Sequence, residues 1–233
     1  MAAAAYVYLY RALDAPPRYA GFVLLGSAMT AYWLNVLWSM ATQFYWEKQE
    51  GQLELFFLAP ISRMAILAGM ALGGMFMAST RAIGTLALGA WLFHVPLGGG
   101  HPWLALGTFL LTLVALYGLG MVLASVFMMY GRDAFNLVNL LQDPIYLASG
   151  FYFPVRALGR AVAFAAAAIP LTLGLDAMRQ LLFGGEPLAL WTPGVEMAAL
   201  ALLAVAYLFL AYVALTAMEN LAKREGRLTV KWQ

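Results

Sequence analysis

The 233-residue chain is 64% hydrophobic and 10% charged, against roughly 45–50% and 25% in soluble domains, and a fold this small cannot hide so much apolar surface from water. A formal net charge of +2 on dispersed basic residues excludes a nucleic-acid reader. The absence of cysteine excludes disulfides, thiolate metal sites and thiol nucleophiles. The predicted class is therefore all-α: a polytopic transmembrane helical bundle with about five spans.

The first stretch, Ala2 to Leu13, is apolar and tyrosine-rich. A dozen helical residues rise only about 18 Å, short of a bilayer core of about 30 Å. With no basic n-region, it does not read as a signal peptide. Residues 1–18 are therefore expected to be an interfacial segment or the remnant of a first span, ended by Asp14-Ala15-Pro16-Pro17. A transmembrane domain is expected over 19–220, followed by a basic cytoplasmic tail over 221–233.

The first full span is predicted from Tyr19 to Phe44 and the second from Met64 to Phe93. Between them lies Trp46 to Pro60, the one long charged segment between spans. Glu47, Glu50 and Glu54 recur on one helical face and leave Leu53, Phe56 and Phe57 on the other, and Pro60 stops the helix. Anionic lipid surfaces attract Lys and Arg rather than glutamates. The acidic face thus predicts docking of a cytoplasmic protein, not a helix that merely lies on the membrane.

In the second span, Arg81 is expected to snorkel to an interface in preference to pairing with Asp143. Ala65, Gly69, Gly73 and Gly74 predict close helix packing and a dimer seam. A third span runs from His101 or Trp103 to Tyr130 and a fourth from Ala134 to Phe153. On the fourth, Asn136, Asn139 and Asp143 share one face. Helix–helix hydrogen bonding and a functional role for the in-span acid are equally weighted readings of that face. Pro144 should kink the helix there.

The stretch 155–184 is apolar but broken by Pro170, Gly174, Asp176 and Arg179, and reads as a re-entrant helical hairpin. The last span runs from Val195 to Met218. Lys48, Arg63, Arg132, Lys223, Arg224, Arg227 and Lys231 fall on one side, which is predicted to be cytoplasmic. The hairpin and the glycine loop at Pro96 to Gly100 then lie outside. His94 and His101 lack a neighbouring carboxylate, so no metal site is predicted. The tyrosines at positions 6, 8 and 10 and most tryptophans read as aromatic-belt residues.

The pattern Glu47-x-x-Glu50-Gly51-x-x-Glu54, then Pro60-x-Ser62-Arg63, resembles the cytoplasmic coupling-helix loop of type 2 ABC exporter permeases. Arg132, Asn136 and Ser149-Gly150-Phe151-Tyr152-Phe153-Pro154 resemble the fifth span of that family and its exit. Ile169-Pro170-Leu171-Thr172, with Arg179 and Gly184, resembles the extracellular re-entrant helices before its sixth span. Together these cover about residues 19 to 220.

The resemblance implies the transmembrane subunit of an ABC exporter in a bacterial cytoplasmic (inner) membrane, pairing with a second copy as a homodimer. Glu47, Glu50, Gly51, Glu54, Pro60 and Arg63 would dock a cytoplasmic ABC ATPase. Asn136, Asn139, Asp143 and Arg81 would be in-span polar candidates, and Pro154, Pro170, Asp176 and Arg179 would shape the hairpin. The family has six spans, so the first is expected to be shortened or missing here. The chain carries no Gly-Lys-Ser/Thr triplet. It is accordingly expected to be no enzyme and to hold no cofactor, with ATP and Mg bound by the partner. The alternative is a non-transporting membrane anchor or assembly factor that docks its partner through residues 46–60.

Overall fold

The computed structural model describes residues 2–42, 46, 50, 62–95, 100–130, 133–184 and 189–224. These form helices and turns, with no strand among the described residues. In chain order they are α1 (Ala2–Ala12), α2 (Arg18–Asn35) running into a π-helical turn (Val36–Met40), α3 (Arg63–Phe93), α4 (Pro102–Tyr130) and α5 (Asp133–Ala148). A 3₁₀ turn (Val155–Leu158), α6 (Arg160–Ala166), α7 (Pro170–Phe183) and α8 (Pro193–Arg224) follow.

Four of these elements are long and apolar enough to cross a bilayer: α2 with its π-turn, α3, α4 and α8. The pair α6 and α7 passes the same test only as one unit bent by 109°. The fourth predicted span is shorter than expected. α5 stops at Ala148 after 16 residues, roughly 24 Å at 1.5 Å per residue, and the chain leaves the helix over Ser149–Phe153. Pro144 removes one ladder donor near its end. Among the described residues the bundle therefore holds four helices long enough to span, five if the bent pair crosses as one, and a short polar helix.

The two inner helices are α2 and α4, with 67% and 56% of their apolar windows buried; the two outer ones are α3 and α8, at 22% each. α4 packs most closely with α8 and also with α7, whereas α2 packs on α3 and touches α7. In lipid the apolar exteriors of α3 and α8 need no cover, and chain contacts are concentrated where backbones can approach. Two glycines set such approaches. A Cβ on Gly26 would overlap the Phe151 carbonyl, and one on Gly174 would overlap Thr112. The predicted small-residue stripe divides. Gly74 faces the Asn35 side chain of α2, but Gly69 and Gly73 meet nothing.

Helix ends follow local chemistry. Ser62 caps α3 by accepting the Ala65 N–H at 3.3 Å. Pro170 starts α7, where its missing N–H costs nothing. Gly159 and Gly184, at φ 96° and 84°, make the breaks around the hairpin helices. The core holds large apolar side chains of several elements, among them Trp33, Tyr32, Phe22, Leu116 and Phe151. Trp33 is therefore a core residue rather than part of the belt; Trp91 and Trp103, 77% and 82% exposed, fit a belt.

α1 is better anchored than an interfacial segment requires. The Tyr6 ring stacks on Tyr152 at 4.2 Å, and Tyr10 stacks on Tyr19 at 5.3 Å. The Tyr10 hydroxyl donates to the Tyr152 carbonyl at 2.9 Å. Burial pushes the Tyr10 phenol above its ordinary pKa.

Candidate functional site

Two polar constellations stand out from the apolar bundle, one on α5 and one in the hairpin. On α5, Asn136, Asn139 and Asp143 all lie on the exposed side of the chain. This helix packs chiefly against α4, α6 and the π-turn, leaving its other face open. The turn matters because a π-helical insertion frees a carbonyl and rotates the following side chains. The Trp38 carbonyl takes the Thr42 hydroxyl at 2.9 Å. The Trp38 ring, 39% exposed, points to α5, where its Nε1 donates to the Gln142 Oε1 at 2.7 Å. One turn earlier, Asn35 accepts from the Tyr117 hydroxyl at 2.9 Å and lies against Gly74, joining α2, α3 and α4.

An exposed polar face can be tolerated in a bilayer only against water or protein, because hydrocarbon satisfies neither amide nor carboxyl groups. Asp143 has no hydrogen bond or ion pair within the described residues, and Arg81 lies exposed on α3 without reaching it. The α5 face and Trp38 thus make a surface that can meet a second copy of the chain or a water-filled path.

The hairpin constellation is the opposite case. Arg179 is 2% exposed and donates to three backbone carbonyls: Phe151 at 2.9 Å, Phe22 at 3.2 Å and Phe153 at 3.4 Å. Its guanidinium also lies 5.2 Å from the Phe22 ring centroid. The five donors of the guanidinium fork suit this task, and they tie α7 to α2 and to the turn after α5.

Asp176, also buried, accepts the Leu190 N–H at 2.7 Å. Glu196, fully buried, accepts from the Trp191 N–H and the Gln180 amide, both at 3.1 Å. Arg156 donates to the Ala189 carbonyl at 2.9 Å. These bonds fasten residues 189–191, and the network is built mostly from backbone partners.

The predicted docking residues fall mainly elsewhere. Glu47, Gly51, Glu54 and Pro60 lie outside the described residues. Glu50 is exposed, and its N–H bonds the Trp46 carbonyl at 2.9 Å, one helical turn back. Arg63 is the first residue of α3. In the hairpin, Pro154 caps the 3₁₀ turn and Pro170 opens α7. His94 caps the end of α3, and the His101 N–H donates to the Leu181 carbonyl at 2.8 Å.

Trp38, Gln142, Gln180 and Glu196 were not anticipated. Glu196 sits at a span end, where a charged residue ordinarily reads as solvated.

The comparisons bear on what these constellations serve. Two relatives, from Escherichia coli strains K12 and O157:H7, are each described as probable multidrug ABC transporter permease YbhR. Each is 30% identical over 114 residues, covering 47% of this chain. The matched stretch is 29% of those proteins, so this chain spans well under half of their length. No solved structure matches. The family model of the ABC-2 type transporters matches residues 2–183, through α1, the α5 face and the hairpin to the end of α7. The chain is an integral membrane protein and belongs to the ABC-2 type transporter family.

Proposed function

We propose that this chain is the transmembrane subunit of an ABC exporter in a bacterial cytoplasmic membrane. Two copies enclose a translocation pathway, and ATP is hydrolysed with Mg on a separate nucleotide-binding subunit. The observation that carries this reading is the exposed polar face of α5, bonded to the π-turn of α2 through Trp38 and Gln142. Within a bilayer the exposed Asp143 carboxyl, which has no hydrogen bond or ion pair among the described residues, calls for water or a second copy. A pathway between copies supplies both.

Residues 46–60 receive the ATPase. They join the π-turn to α3, so force on them arrives at both. On the α3 side the Ser62 cap gives a firm helix start. On the α2 side the force arrives close to the turn whose Trp38 holds Gln142. Closure of the ATPase dimer would shift α2 and α3 together and drag α5 by that bond, opening the pathway on the hairpin side. The hairpin, held by Arg179, caps that end. The multidrug description of the relatives makes amphipathic drug-like compounds the first substrates to test.

The test is reconstitution with the cognate ATPase in lipid. Charge reversal at Glu50→Lys with Glu54→Lys should leave membrane insertion intact and lower substrate-stimulated ATP turnover. Full stimulation in that double variant would contradict the docking assignment, and failure of any ATPase to co-purify would favour a non-transporting anchor.

A further inference from the structure

At the hairpin end a cavity of about 340 Å³ opens between α1, the turn before α2 and the end of α3. Its lining includes Arg11, Asp14 and His94, beside Tyr10 and the apolar Val7 and Phe93. Its size lies within the range of small-molecule sites. Its depth is set by the spans: α2 begins at Arg18 and α3 ends at Phe93, so the cavity lies where both helices leave the hydrocarbon.

Two features separate it from an ordinary solvated rim. The first is the backbone. Asp14 and His94 have φ of 51° and 53°, and they are the non-glycine residues with positive φ among the described residues. Glycine would fit either position with less strain. The chain instead keeps an ionisable side chain at both, and both line this cavity. The second is Arg11. Its Nη2 donates to the Phe93 carbonyl at 3.2 Å, and the guanidinium lies 5.6 Å from the Phe93 ring centroid. One edge of the fork is thereby fixed while other donors are left for a ligand.

We propose that this cavity binds a phosphoethanolamine-type head group, with the phosphate on Arg11 and His94 and the ammonium on Asp14. One guanidinium and one carboxylate lining the same cavity favour a zwitterion over a net anion. A primary ammonium supplies hydrogens to the carboxylate, which a choline cannot. The apolar walls suit the glycerol and the first methylenes of a membrane lipid; a soluble glycerophosphodiester offers the same head without the tail.

The test is native mass spectrometry of the purified full chain in detergent, with phosphatidylethanolamine, phosphatidylglycerol and phosphatidylcholine of identical acyl chains. The wild type should retain phosphatidylethanolamine about tenfold more strongly than either other lipid, the size of one charge-assisted bond. Asp14→Asn keeps a residue that tolerates the left-handed backbone, so it should fold normally and lose the preference over phosphatidylglycerol. Arg11→Gln should weaken retention of both phosphatidylethanolamine and phosphatidylglycerol. A thermal melt on each variant separates these losses from misfolding. Displacement of the lipid by glycerophosphoethanolamine at equal concentration would assign the site to the soluble source; resistance to it would assign the lipid. Equal retention of all three lipids by the wild type, or unchanged retention in well-folded Arg11→Gln, would overturn the proposal.

Discussion

The hairpin and the α5 face pose one physical problem, polar groups in an apolar bundle, and resolve it differently. In and beside the hairpin, Arg179 and Asp176 of α7 and Glu196 of α8 are buried and find partners within the chain, most of them backbone groups. On α5, Asn136, Asn139 and Asp143 remain on the outside of the chain. Buried polar groups that are satisfied make structure, and removing one leaves its partners stranded. The exposed Asp143 carboxyl, with no hydrogen bond or ion pair among the described residues, looks to something beyond the chain. Charge alone does not mark function in a membrane protein; where the charge finds its partner does.

That contrast can be broken or sharpened by substitution, beginning with the largest effect. Arg179→Ala removes the charged donor to three carbonyls, those of Phe151 and Phe153 lying outside any helix, and should destabilise the fold by about 3–5 kcal/mol. The readout is the thermal midpoint in detergent. Arg179→Lys should recover only part of it, because an ammonium lacks the fork. Glu196→Ala leaves the Trp191 N–H without an acceptor and the Gln180 amide with only the Trp191 carbonyl, and should cost about 2 kcal/mol in the same melt.

Trp38→Phe removes one hydrogen bond to Gln142, about 1 kcal/mol, and should reduce coupling of ATP turnover to substrate more than it reduces stability. Asp143→Asn should be the mildest of all, within about 0.5 kcal/mol as at other exposed positions, yet change transport rate or substrate preference. A large loss of stability from Asp143→Asn with unchanged transport would collapse the distinction and return Asp143 to helix packing.

Much of this was legible in the sequence. Long apolar runs place α2, α3, α4 and α8 to within a few residues, since a bilayer demands length and hydropathy and little else. Pro170 and the breaks around it mark the hairpin. The i, i+3, i+7 spacing puts Asn136, Asn139 and Asp143 on one face, but not which way that face looks.

What stayed hidden depends on partners distant in sequence. Arg179 reaches carbonyls of residues 22, 151 and 153, and carbonyls carry no side-chain signal. Glu196 reads as a span-end charge until Gln180 and Trp191 close over it. The π-turn leaves no mark on hydropathy, so the rotation that aims Trp38 at Gln142 could not be foreseen. The tyrosines of α1 fit the belt pattern, and only their stacking on Tyr152 and Tyr19 reveals an anchor.

Thiol labelling distinguishes an α5 face that lines a water-filled path in an ATP-driven assembly from one packed against protein or lipid. The chain has no cysteine, so Asp143→Cys provides a unique thiol, and Phe76→Cys, on the exposed apolar side of α3, provides a lipid-facing control. In the complex with its ATPase, a charged membrane-impermeant maleimide should label position 143 and spare position 76, and trapping the ATPase with vanadate should change the rate at 143. If 143 stays as unreactive as 76 in both states, the face is packed against protein or lipid and the pathway lies elsewhere.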